Sequence, residues 1–91
     1  MGKYINSIGD DTSGASYQDK CALLERNGAQ KVEPKSFQKD LVCVVNNGPF
    51  AAAGYAYSER EFDYFYTGFE KGSDPRPHQW YILPNAADYA E

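Results

Sequence analysis

Histidine, tryptophan and methionine each occur once in this 91-residue chain, and cysteine twice. That scarcity excludes several kinds of chemistry at once. One histidine, His78, and two distant cysteines, Cys21 and Cys43, cannot assemble a structural zinc site from His and Cys. Cys21 falls in an expected helix and Cys43 in an expected buried strand. Both read as small core hydrophobes rather than a disulfide or a reactive pair. No segment reaches the roughly 18 consecutive apolar residues of a membrane span, and MGKYINSIG lacks the apolar run of a signal peptide. The expected setting is soluble, reducing and cytoplasmic. Asn6 breaks the lipidation pattern that Met1-Gly2 would begin. No repeat or low-complexity tract is present.

Positive charge is also short. Nine Lys and Arg stand against 13 Asp and Glu, for a net charge of −4. Through Tyr57 the two signs cancel. From Ser58 onward only Arg60, Lys71 and Arg76 oppose seven acids, so the whole excess lies in the last third. Such a surface repels nucleic acid, whose affinity comes largely from Lys and Arg on phosphates. Its electrostatic complement is a basic protein surface.

What the chain has in plenty is aromatic residues, 15% of the total. Half of them fall between Tyr55 and Phe69, in GYAYSEREFDYFYTGFE. A chain this short forms one domain and buries only about 60–65% of its unfolded surface. A few large rings must therefore build the core, and homo-oligomerisation or a partner would add burial.

Taken in order, Lys3 to Ile8 reads as a strand, followed by a polar loop. Ser16 caps a helix on whose face Tyr17, Cys21 and Leu24 recur, with Leu23 beside them, and Asn27-Gly28 closes it. Ala29 to Glu33 is a short strand stopped by Pro34. Phe37, in the following connection, is expected to plug the core edge. The run Leu41 to Val45 (LVCVV) marks a strand buried on both faces or central in a sheet. Asn46-Asn47-Gly48-Pro49 is a turn, and FAAAGYAY returns as the partner strand. Its small residues imply close packing by a helix, or a shallow cavity floored by Ala and Gly.

Ser58-Glu59-Arg60-Glu61 matches a capping box. The helix it opens carries Phe62, Phe65, Tyr66 and Phe69 on one stripe. Glu59, Asp63, Arg60 and Tyr64 fall on the outer side, and Gly68 is expected to end the helix. A Pro-rich loop precedes a last strand at Trp80 to Leu83, after which either Asn85 caps a final helical turn through Tyr89 or residues 85–91 form a frayed tail. The expected fold is α+β: one two-layer domain over residues 1–91, in the order β-α-β-β-β-α-β. Its mixed or antiparallel sheet has four or five strands, with two helices on one face.

No catalytic or metal group emerges, and no cofactor is implied. IGDDTSGAS has glycines spaced like a phosphate loop but lacks its Lys-[ST], and Asp10 and Asp11 repel phosphate. A dyad through His78 would need Cys21, Cys43 or a serine that pattern places in the core or a cap; His78 is expected at the surface. Glu59/Asp63 and Asp10/Asp11 lack an apolar wall to separate their pKa values. DNA mimicry would need more carboxylates than these.

A protein-binding face is the leading expectation. Tyrosine gives large contact area at low entropy cost. Tyr55, Tyr57 and Tyr64, with Glu59, Asp63, Glu70 and Asp74, are the candidate partner-binding residues. Tyr57 and Tyr64 are the ones expected outside, Phe62, Phe65 and Phe69 inside. In size, charge and stretches such as NNGPFAAAGYAYSEREF, the chain resembles the small acidic accessory proteins of tailed phages. That resemblance implies a non-enzymatic domain that blocks a host enzyme or defence complex. The implied partner is a host protein with a basic or aromatic surface, with no direct nucleic acid and no membrane. The alternative is a small-ligand, nucleotide-like binder or sequestering protein acting as an oligomer.

Overall fold

The computed structural model describes residues 3–5, 8 and 14–90. Five strands and three helices follow in the order β1 (Lys3–Tyr4), α1 (Tyr17–Arg26), β2 (Gln30–Val32), β3 (Leu41–Asn47), β4 (Phe50–Ala56), α2 (Glu59–Phe65), β5 (His78–Ile82) and α3 (Ala86–Tyr89). The strands form one open sheet in the order β1-β4-β3-β5-β2, with every neighbouring pair antiparallel. The class is α+β, and the element order is the expected one. The strand expected over Lys3 to Ile8 is paired at Lys3–Tyr4, with Ile5 bridging Ala90. Residues 6, 7 and 9–13, including most of the IGDDTSGAS loop, lie outside the described residues.

Local chemistry accounts for the ends of α1. The Ser16 hydroxyl accepts the Asp19 N–H at 3.2 Å, relieving one of the unpaired donors of the first turn. At the other end Gly28 takes φ +95°, and its N–H reaches the Glu25 carbonyl while that of Ala29 reaches Leu24. Only a residue without Cβ takes that left-handed cap at little cost. Gly48, at φ +78°, likewise supplies the positive φ of the tight turn between β3 and β4.

The helices are not on one face of the sheet. Val42 and Val44 of β3 join Ala53, Tyr81 and Leu24 in a core beneath α1 and α3. Leu41, Cys43 and Val45 join Ala56, Trp80 and Phe62 in a second core beneath α2. The physical reason is the LVCVV run itself. Residues alternate across a strand, so a strand apolar at every position needs cover on both sides. Phe37 also differs from expectation: it is 36% exposed and belongs to neither core.

Past Phe65 the regular helix stops earlier than Gly68. Tyr66–Glu70 form a π-helical turn, in which the Tyr66 carbonyl accepts the Lys71 N–H at 3.1 Å. The extra residue per turn rotates Phe69 and Glu70 onto the sheet. The loop that follows folds back on the turn's free carbonyls: Asp74 N–H reaches Gly68 O at 2.6 Å, and the Ser73 hydroxyl reaches Thr67 O at 3.1 Å. The last strand begins at His78 rather than Trp80. Asn85 starts α3 in a left-handed conformation, φ +61°, without a side-chain cap bond.

Candidate functional site

Ser58 opens α2 by accepting the Glu61 N–H at 3.2 Å. The reciprocal half of the capping box is not made, so the Glu61 carboxylate stays available. Phe62, 3% exposed, anchors the helix with its ring 5.4 Å from Trp80 and 5.3 Å from Tyr66. One turn on, Phe65 lies over β4 where Gly54 leaves room: a Cβ there would sit 2.9 Å from the Phe65 ring. Of the two readings of the small residues in β4, this contact favours close packing at Gly54.

Beside Phe65 a groove opens. Depressions of about 640, 450 and 250 Å³ share Tyr4 and Phe65 as lining residues. Tyr4, on edge strand β1 opposite Gly54, forms one wall. Phe65 and Phe69, stacked at 6.3 Å, form the other, and Ala52 and Gly54 lie in the floor. Arg76 closes one end, its guanidinium carbon 5.6 Å from the centre of the Phe69 ring. That guanidinium is already engaged. Nε and Nη2 bond to the Asp74 carboxylate, at 2.6 Å for Nη2, and Nη1 to Asn47 at 3.0 Å. These hydrogen bonds hold the Asp74 carboxyl below its ordinary pKa of 3.8.

A second polar cluster lies behind Phe69. A single Glu70 oxygen, Oε1, accepts from His78 Nε2 at 2.5 Å and Trp80 Nε1 at 2.8 Å. His78 stacks on Phe69 at 5.2 Å and borders a cleft of about 400 Å³ with Tyr66 and Lys35. The histidine expected at the surface is therefore half-buried and tied to a carboxylate. Among the described residues its ring meets no cysteine or serine, and no three His, Cys, Asp or Glu side chains gather as a metal site. Glu70 and His78 alone provide an orienting pair without a nucleophile. No helix among the described residues is long and apolar enough to cross a membrane.

The seven candidate residues divide. Tyr64 is 73% exposed, and Glu59 and Asp63 are exposed on the same helix. Tyr57 is half-buried and borders the groove's side depression with Tyr64. Tyr55 points the other way, against the core under α1, because it alternates with Gly54. Glu70 serves Trp80 and His78, and Asp74 serves Arg76. The groove instead recruits Tyr4, Phe69 and Arg76. Tyr4 is brought in by the pairing of β1 with β4, which no local pattern announces. Phe69 is placed by the π turn.

The chain matches no family model, no curated protein and no solved structure.

Proposed function

We propose that this protein is a non-enzymatic binding module that acts by occupying, and so blocking, the surface of a partner protein. The observation that supports this most is the exposure of Tyr64, 73%, beside a groove whose walls are Tyr4, itself 48% exposed, and the rings of Phe65 and Phe69. Large exposed aromatics beside a depression are the residues that dominate interface energy when desolvated. Glu59, Glu61 and Asp63 surround them with negative charge, opposed locally by Arg60. A partner with a basic or aromatic surface, such as a host enzyme or defence complex, complements that face. The reading is tested by affinity purification from the native cell with three baits. Wild type and Phe37→Ala, which alters an exposed ring off the face, should retain the same partner. Tyr64→Ala should lose it at unchanged thermal midpoint. Retention by Tyr64→Ala would remove the face from the interface.

A second reading, a small nucleotide-like ligand bound over Ala52, draws support from the 250 Å³ depression there. A thermal-shift screen of nucleotides that raises the melting midpoint would favour it, and a flat screen would dismiss it.

A further inference from the structure

The chemistry of the partner's contact segment follows from what the groove offers and what it has already used. Its walls are the rings of Tyr4, Phe65 and Phe69, and its floor includes Ala52, whose side chain is only a methyl group. Among the described residues, no side chain fills the space above Ala52. A bulky apolar side chain placed there would exchange water contact for ring contact on both sides, the arrangement of an interface anchor.

The charges around it are unequal in availability. The Arg76 cation is satisfied by Asp74 and Asn47. The carboxylate of Asp63, which lines the groove, has no side-chain partner among the described residues. Glu59, one turn earlier on α2, and Glu61 between them likewise have no side-chain partner among the described residues. Arg60 is the single cation on that helix, against three acids. Charges flanking an anchor are thus favourable when positive and costly when negative.

We propose, building on the binding-module reading, that the partner docks through a short segment with one large apolar side chain flanked by lysine or arginine. The apolar side chain occupies the groove between Tyr4 and Phe69 above Ala52, and the flanking cations face Asp63 and Glu61, the acids of α2 that line its depressions. Tyr64 lines the outer part of the same groove, away from the anchor position above Ala52.

The test uses the intact chain, labelled with nitrogen-15, and three capped tripeptides: Lys-Phe-Lys, Lys-Ala-Lys and Glu-Phe-Glu. Lys-Phe-Lys should produce saturable amide shifts at Ala52, Gly54 and Gly68. The other two should bind about tenfold more weakly or not at all. Ala52→Leu, which fills the floor, should abolish the Lys-Phe-Lys shifts. Asp63→Lys, an exposed change that keeps the groove open, should erase the preference for lysine over glutamate. A thermal midpoint measured for each variant excludes unfolding as the cause. Equal shifts from all three peptides, or shifts untouched by Ala52→Leu, would overturn the proposal. If the native partner is lost on Tyr64→Ala but kept on Ala52→Leu, the binding-module reading stands and the groove anchor falls. If Tyr64→Ala retains the partner, the broader reading falls first. A nucleotide that displaces Lys-Phe-Lys from the groove would assign the pocket to a small ligand and overturn the peptide anchor.

Discussion

A methyl group added to Gly54 would lie 2.9 Å from Cζ of Phe65, closer than two carbons pack. The strand in the groove's floor and the helix that walls it are therefore set against each other by a pair of residues, one without a side chain and one with a ring. Gly54→Ala should push the Phe65 ring outward at a cost of about 1 kcal/mol. In a Phe65→Leu background the same change should cost clearly less, because the clash is gone. Urea unfolding of the double-mutant cycle measures this coupling; additive costs would show that the two residues do not press on each other.

Phe62 and Tyr64, two residues apart on α2, should behave oppositely. Phe62 is 3% exposed against Trp80, and Phe62→Ala should cost about 3–5 kcal/mol through lost burial and a cavity. Tyr64→Ala should change stability by no more than about 0.5 kcal/mol. Thermal or denaturant unfolding of the two variants checks the assignment of inside and outside on this helix.

Glu70 holds two donors on one oxygen, and Trp80, which supplies one of them, is 2% exposed. Glu70→Ala should leave the indole N–H without its acceptor and cost about 1–3 kcal/mol. It should also free the π turn from the sheet, so that Trp80 fluorescence shifts to the red before global unfolding. Glu70→Gln keeps an acceptor and should recover part of the stability. An unshifted Trp80 spectrum in Glu70→Ala would mean that the ring contacts of Phe65 and Phe69 hold the turn without it.

Cys43 and Tyr81 sit back to back across the sheet, in the two cores. Burial raises the Cys43 thiol above its ordinary pKa of 9.0. Burial, and then the 2.7 Å bond that its hydroxyl donates to Glu25 Oε2, raise Tyr81 above 10.0. Both groups hold their protons more tightly folded than unfolded. Their contribution to stability is full below pH 9.0 and falls progressively as pH rises above 9.0 and then 10.0. Alkaline titration should show a thiol reagent modifying half-exposed Cys21 first and Cys43 only on unfolding. Tyr81→Phe should flatten the loss of stability above pH 10.0. Early modification of Cys43 in the native protein would show that α2 opens readily.

Much of this architecture was legible from local pattern. Ser16 and Ser58 both accept the backbone bonds that their spacing promised, and Asn27-Gly28 and Gly48 turn the chain where left-handed backbone was needed. The run LVCVV did become the central strand, buried along Leu41–Val45. It also contained the evidence against a one-sided helical layer, since five consecutive buried residues require two covered faces. These features depend on residues within a turn or two of one another, where capping, alternation and steric limits act directly.

The candidate site belonged to the other category. Tyr4 reaches the groove because β1 pairs with β4, fifty residues away in sequence. Tyr55 leaves it because the same pairing fixes the parity of β4. Glu70, expected as a partner-binding acid, stays exposed but is engaged by His78 and Trp80 once a π turn brings it over the sheet. Sequence alone determined the class of fold, the helix caps, the central strand and the acidic, aromatic character of the last third. Tertiary structure decided which face each ring occupies and which charges remain unpaired, because strand register and a single added residue in a helical turn are set by packing between distant segments.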